Sequence, residues 1–489
     1  MKSETQTGVF NLVDDRRVFG CLTIAGEDSE VTLFADQQFP PVPEGYRYLT
    51  GDLHNGECVT LINCVLEKIT YKSISKNEFK CSASVFPNTI ATGPRHVPIE
   101  VKCVNEITVA LKDAHSVFYD FDAFSTIIDP KPFSDLIKQD KERIRPIEVG
   151  EHPIIGYFSG RFEIASVHCA LGEINARHRV SEKMGGPRGW GLNSQIVVSL
   201  RFHECLTFKD AMQRQHALIR FFELIIGREQ SILSVEIRLD GQINSEPSLK
   251  IIEAYAPRSK FSDEDDSRSP APCDVLLCTA DGPEEFCQVA ARYFEFDDER
   301  LDARSRFTEN LRQGRSYTID RIVSAANIFD IFPDSAYPDR IDLSNEVKRA
   351  REVARQEFKA LPISIERDSV LQAIGRMGEL SLKRKVLYRL QVAKLQNHFE
   401  GIDSVLKEAI NCRNHYVHGS RGRIDYAKNF DVVIFFTNAL EFVFGVSDLV
   451  DCGWSFEGWV KDSPQESHPF GEFRLRYRDC FKIFEDLLA

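Results

Sequence analysis

No stretch of this chain resembles a membrane anchor. Apolar runs fall short of the roughly 18 residues needed to cross a bilayer, and Met1-Lys2-Ser3-Glu4-Thr5 lacks the apolar character of a signal peptide. The expected location is the cytoplasm, with no membrane partner. Complete cofactor motifs are missing too. His203-Glu204 opens like a zinc-protease motif, but Thr207 stands where the second histidine belongs, so the pair reads as a strand end. Gly185-Gly186-Pro187-Arg188-Gly189-Trp190-Gly191 lacks the Gly-Lys-Ser/Thr ending of a phosphate loop and reads as a turn. Thirteen cysteines, an odd number at irregular spacing, argue against a disulfide framework and suit reduced core thiols. Cys58 with Cys64, and Cys273 with Cys278, lack the spacing and the second pair of a zinc knuckle. No cofactor and no metal is expected. Positive charge is not in excess either, since a net charge of −13 argues against a generally basic nucleic-acid coat.

What the chain does have is enough apolar material for two or three cores, with 43% hydrophobic and 10% aromatic residues over 489 positions. Up to about residue 240 the apolar period is two, and strands are expected over 18–25, 31–35, 58–71, 78–86, 101–111 and 195–202. One clear helix, 208–227, interrupts them and stops at a glycine. The segment 256–272 is charged, proline-flanked and without apolar pattern, which marks it as a linker or mobile loop. Beyond it the period becomes helical over 284–294, 304–313, 319–332, 345–360, 369–377, 382–395, 402–418 and 430–450, with a last helix expected over 473–488. The expected fold class is α+β and multidomain: a β-rich domain over 1–255, a charged linker over 256–274, and a helical bundle with a C-terminal extension over 275–489.

Near the end of that bundle lies Arg413-Asn414-His415-Tyr416-Val417-His418-Gly419, the run richest in chemistry. Arg413 is a permanent cation able to fork onto two phosphate oxygens, Asn414 can orient them, and His418 exchanges protons near neutrality. Spacing alone has little weight, because roughly one Arg-x-x-x-x-His is expected by chance at this composition. Context adds to it. Ile402, Val405, Leu406, Ala409, Ile410, Tyr416 and Val417 recur at helical steps, and Gly419 supplies a stop. Residues 346 to 428 carry 17 Lys and Arg against 10 Asp and Glu, so a local basic field surrounds the motif while the remainder carries −20. At about 100° per residue, Arg413 and His418 lie roughly 140° apart around an ideal helix. One intact helix is therefore not expected to bring both to one phosphate, and a frayed last turn or a second subunit has to close the gap.

Here the chain resembles the HEPN domains, helical bundles whose ribonuclease members carry Arg, a polar residue and then His four to six positions after the Arg. The stretch from Tyr317 through Arg321 to Phe332, and the helices ending at Gly419, are similar to the ApeA-like HEPN subgroup of bacterial anti-phage proteins. Gly8-Val9-Phe10, Gly20-Cys21-Leu22-Thr23-Ile24 and the 196–227 segment, with Leu206-Thr207 and Phe221-Phe222, resemble that subgroup's N-terminal partner domain. The resemblance implies a latent endoribonuclease that acts without a metal through attack of a ribose 2′-hydroxyl and causes abortive infection. It also implies pairing of two subunits through the HEPN bundle, as a homodimer or higher homo-oligomer, so that two motifs face one cleft. The expected catalytic residues are Arg413, Asn414 and His418, with RNA contacts at His415, Arg421 and Arg423. Expected partners are RNA, such as tRNA or mRNA, and a phage-derived trigger sensed by the N-terminal region. Two other readings stand beside this one: Arg413 and His418 as simple caps of the last helical turn, and a non-catalytic RNA-binding or adaptor protein that uses the bundle for dimerisation.

Overall fold

The computed structural model describes residues 3–489 apart from 13, 40–46, 76–77, 185–188, 243–245, 255–268, 339–342, 379 and 464–465. Most of the expected linker, and the Gly185 to Arg188 part of the glycine-rich run, lie outside the described residues. The chain forms two compact units, residues 1–226 with 230–294, and residues 227–229 with 295–489.

The first unit is built on strands β1 (Glu4–Asn11), β2 (Arg17–Ile24), β3 (Glu30–Ala35), β4 (Tyr48–Leu53), β5 (Cys58–Ser75), β6 (Glu78–Gly93) and β7 (Val104–Leu111). It continues with β8 (Phe124–Thr126), β9 (Gly156–Phe158), β10 (Glu163–Cys169), β11 (Gly172–Met184), β12 (Trp190–Leu206), β13 (Ile232–Leu239) and β14 (Leu249–Glu253). Strands β6, β3, β2, β1, β4 and β5 pair in that order, and β5 pairs back onto β6, so they close into a barrel. Closure removes free edges. Leu22, Val31, Leu33, Val59, Leu61, Val85 and Ile90 fill its interior at alternate positions. Phe10 fits there only because β2 and β4 each present a glycine: a Cβ at Gly20 or Gly51 would come within 2.6 Å of its ring.

The far half of β6 also pairs with β14, which carries the sheet on through β13, β7, β12, β11 and β10. The four-residue α1 (Ala114–Val117), α2 (Lys131–Glu142), α3 (Phe208–Ile226) and α4 (Pro283–Glu295) complete this unit, so it holds more helix than the single one expected. α2 escaped notice because its apolar stripe is limited to Phe133, Leu136 and Ile137 in an otherwise polar segment, and none of its residues is buried. α3 lies on β7 and β12. Phe286 of α4 meets Phe118 and Phe221, and Phe221 also meets Tyr293 and Phe294. The first unit therefore runs through residue 294, beyond the 256–274 junction expected from composition.

The second unit contains α5 (Asp297–Arg312), α6 (Ile319–Ile331), α7 (Asn345–Ala360), α8 (Ile365–Gly375), α9 (Leu382–Val392), α10 (Ile402–His418), α11 (Phe430–Asp451), the short α12 (Phe456–Trp459) and α13 (Pro469–Leu488). The architecture is thus a β-rich N-terminal region followed by a helical one. α11 is the central helix, packed by α6, α9, α10 and α13. By length and composition it is apolar enough to cross a membrane, which corrects the expectation that no segment approaches that size. In this fold 89% of its apolar window is buried. Its Glu441 and Asp448 are buried too, where they meet arginines: Arg300 and Arg304 bond Asp448 at 2.7 and 2.8 Å, and Arg321 forks onto Glu441 at 2.9 Å through Nε and Nη2.

Candidate active site

α10 is flanked by Gly401 and Gly419, both with left-handed backbone, and the Gly419 N–H caps the helix by donating to the His415 carbonyl. Ile402, Val405, Leu406, Ala409, Ile410 and Cys412 form its buried stripe, so the rest of its last turn faces outward. The helix is regular through His418. Even so, Arg413 Nη1 lies 3.2 Å from His418 Nε2. The expectation that an intact helix would keep the two apart is therefore corrected. It treated both side chains as short radial spokes, whereas a histidine ring leans back toward the helix N-terminus and an arginine is long enough to wrap the cylinder.

Arg413 has three acceptors, and none is a carboxylate. Nη1 donates to Asn414 Oδ1 at 3.1 Å as well as to His418, and Nη2 donates to Asn327 Oδ1 at 2.9 Å. Its Nε is buried and has no hydrogen-bond partner. No Asp or Glu among the described residues forms an ion pair with it. Since a guanidinium only donates, His418 Nε2 accepts here, and a neutral ring then carries its hydrogen on Nδ1. Asn414, whose oxygen is engaged by Arg413, keeps its amide nitrogen as a donor. The predicted trio is thus assembled within one protomer.

Asn327 was not singled out by sequence. The signal was present, because it is a half-buried amide among the buried Ala325, Ala326, Ile328 and Phe329 of α6. Glu408 was missed as well. Its carboxylate accepts from Tyr426 Oη at 2.7 Å and Asn411 Nδ2 at 2.9 Å, which ties α10 to the chain returning after the motif. Burial first, then Glu408, pushes the Tyr426 hydroxyl far above its ordinary value, so it stays protonated and donating. Cys412 is pushed up to about 12 by burial and by Glu408, which makes it an inert core thiol.

Of the expected RNA contacts, Arg421 and Arg423 are exposed beyond the helix end. His415 is half-buried: its Nδ1 lies 2.7 Å from the Ser420 carbonyl and its ring packs on Tyr416 and Tyr426, so it shapes the turn that follows. His203 sits on β12 with Nε2 3.1 Å from the Cys169 carbonyl, and Thr207 caps α3.

A family model described as Apea-like HEPN matches residues 323–457, which contain the whole motif, and one described as ApeA N-terminal domain 1 matches residues 6–292. The chain belongs to the ApeA-like HEPN family. No curated protein and no solved structure matches it. The second family segment ends within α4, close to the limit of the first compact unit at residue 294. In this ApeA-like HEPN protein both Asn327 and Arg413 fall inside the HEPN segment. Among the described residues, one group of metal-ligating type lies outside it: Asp52, Cys58 and His96 in the first unit.

Proposed function

We propose that this protein is an anti-phage endoribonuclease that cleaves RNA without a metal and acts by abortive infection. The observation that carries the reading is Arg413, a cation held in place by neutral acceptors alone. A carboxylate would have neutralised it; amide oxygens and an imidazole orient the guanidinium and leave its charge for an incoming anion. A phosphate diester would take Arg413 through two oxygens and the Asn414 amide through a third contact. Drawing Arg413 onto phosphate releases His418 Nε2. That nitrogen then accepts the ribose 2′-hydroxyl proton as the oxygen attacks phosphorus, the P–O5′ bond breaks, and the leaving 5′ oxygen takes a proton. In a homodimer the His418 of a second copy, freed from its own Arg413 and protonated on Nε2 from solvent, supplies it, and the first His418 returns its proton to solvent. The nucleophile belongs to the substrate, so RNA is cleaved and DNA is not.

RNA would approach from the side of Arg421 and Arg423. Asn327 also lines a groove in which Asp302, Glu309 and Asp320 outnumber the single cation Arg306, and that net negative charge repels a phosphate backbone. The first unit, matched over 6–292 but lacking the Arg-Asn-His set, is proposed to sense a phage-derived trigger and restrain the nuclease.

The test is cleavage by triggered protein without magnesium and in EDTA. Products should carry 2′,3′-cyclic phosphate and 5′-hydroxyl ends, and a deoxyribose at the cleavage position should block the cut. Products ending in a 3′-hydroxyl, or strict magnesium dependence, would overturn the mechanism. An RNA-binding protein that protects cells against phage equally well with His418→Ala would overturn the enzyme reading itself.

A further inference from the structure

Asp52 at the end of β4 pairs directly across the sheet with Cys58 at the start of β5, and Cys58 pairs across with Gly93 at the end of β6. Three residues beyond Gly93, the chain turns back and places His96 beside them. Register between three strands of a closed barrel therefore fixes a carboxylate, a thiol and an imidazole at one point on its rim. One ligand atom from each lies within 4.8 Å of the others.

The distances suit a tetrahedral ion. Metal–oxygen and metal–nitrogen bonds of about 2.0 Å imply an O···N edge of about 3.3 Å, and a metal–sulfur bond of about 2.3 Å implies an S···O edge of about 3.5 Å. His96 Nε2 is 3.3 Å from Asp52 Oδ1, and Cys58 Sγ is 4.0 Å from the same oxygen. The first edge is already met. A small rotation about the cysteine side chain meets the second.

Surrounding contacts orient the set. His96 Nδ1 lies 3.2 Å from the Val59 carbonyl, which can only accept, so Nδ1 holds the hydrogen and Nε2 is the nitrogen turned toward Asp52. A backbone carbonyl on the far nitrogen is the arrangement that fixes ring and tautomer in metal-binding histidines. Arg17 Nη2 takes the other Asp52 oxygen at 2.8 Å and leaves Oδ1 for a monodentate bond. Cys58 is half-buried and also approaches the Pro94 carbonyl at 3.8 Å. Sulfur, nitrogen and oxygen donors together select a borderline ion of the zinc type over magnesium or calcium.

We propose that Asp52, Cys58 and His96 bind one zinc-type divalent cation on the barrel rim, with solvent in the fourth position. The ion braces the exit of β6 against β4 and β5. This inference is independent of the nuclease reading, since all three residues belong to the first unit. Sequence could not show it, because the ligands stand 6 and 38 positions apart and no two share a motif.

The experiment uses the full chain, stripped with a chelator, desalted, and titrated with cobalt and then zinc. One equivalent of cobalt should produce a thiolate-to-cobalt charge-transfer band that zinc displaces, and either metal should raise the melting temperature. Cys58→Ser should abolish the band, and Cys21→Ser, at another half-buried cysteine, should keep it. His96→Gln should weaken binding by at least the roughly tenfold that even outer-shell changes cause. If Cys58→Ser does not fold, His96→Gln decides through the same titration. A band that persists in Cys58→Ser, unchanged affinity in His96→Gln, or no metal-dependent melting shift in the parent protein would leave a plain Asp52–His96 ion pair and overturn the site.

Discussion

Arg304 and Arg413 lie in the same helical unit and hold their charge in opposite ways. Arg304 is buried to 1% exposure, reaches Asp448 through two nitrogens, and shares that carboxylate with Arg300. Arg389 is handled alike, with Asp451 at 2.7 Å and Ser447 beside it. Arg413 is equally well positioned, but by Asn327, Asn414 and His418. In the centre of the bundle each charge is cancelled where it stands. At the end of α10 it is oriented and left uncancelled. An arginine network alone therefore says little about function; the chemistry of its acceptors separates a structural arginine from one prepared for an anion.

The largest expected effect lies at the centre. Asp448→Asn would remove the carboxylate that Arg300 and Arg304 share, leaving Arg300 with Asp451 at 3.0 Å and Arg304 with Asp297 at 3.6 Å, and breaking a buried ion pair costs about 3–5 kcal/mol. Thermal or denaturant unfolding of the helical unit should show this loss, and a melting curve unchanged by the substitution would mean that the pair is not structurally required. Acid should act at the same point. Burial alone would raise the Asp448 carboxyl, but Arg304 and Arg300 outweigh it and hold the group below its ordinary value. A depressed folded value contributes stability that is fully present above the unfolded value of about 3.9 and is lost as pH falls through the folded value. Unfolding monitored below about pH 4 should therefore be less steep with pH in Asp448→Asn than in the parent.

At the other end of the comparison, Arg413→Ala should cost much activity and only modest stability, because the bonds it gives up all go to neutral acceptors. Loss of a donor to the transition-state phosphate typically lowers turnover by about 10²–10³-fold, and loss of the proton-transfer group by about 10²–10⁴-fold. Both Arg413→Ala and His418→Ala should fall in those ranges in RNA cleavage assays, with the folded circular dichroism spectrum retained and a smaller melting loss than in Asp448→Asn. Either variant cleaving at the parent rate would remove its residue from the mechanism.

Much of the helical unit was legible in the sequence. The expected 345–360 and 402–418 helices match α7 and α10 at both ends, because serine and glycine punctuation agrees with the apolar period. In the first unit, β2, β3, β5 and β6 were visible by alternation, whereas β1 was not. Its Glu4-Thr5-Gln6-Thr7-Gly8 opening has no apolar residue, and it is a strand because β2 and β4 pair with it on either side. The membership of the trio was legible as well, but not its closeness. Helical angles report where backbones point, and the Arg413–His418 contact depends on side-chain reach. Asn327 is 86 positions from Arg413, a separation that only the packing of α6 beside α10 bridges.

A smaller effect would show whether the site is complete within its own unit. Starting a fragment at residue 275 would carry α4 without its partners and expose Phe286, Tyr293 and Phe294, so residues 295–489 are the better isolate. If the first unit restrains the nuclease, this fragment should cleave RNA or poison cells more than the resting full-length protein by about tenfold, within the usual range of coupling between sites. A folded, dimeric fragment no more active than the resting protein would end the restraint model and leave the Arg413 site itself untouched.

The finest test converts one kind of arginine into the other. Asn327→Ala removes one neutral acceptor from Arg413, worth about 0.5–1.5 kcal/mol as a hydrogen bond, and should lower turnover several-fold by loosening the guanidinium. Asn327→Asp keeps the size and the acceptor but adds the charge that Asp448 gives Arg304. A charge-assisted bond is stronger than a neutral one, so the melting temperature should hold or rise slightly. Cleavage should fall further than in Asn327→Ala, because the substrate phosphate must now displace a carboxylate that cancels the charge it needs. Opposite movement of stability and activity in the Asp variant, set against mild losses of both in the Ala variant, is the signature of an arginine kept uncancelled for phosphate. If Asn327→Asp cleaves RNA as fast as the parent, the neutrality of the Arg413 acceptors has no bearing on catalysis, and the distinction between the two arginines is structural only.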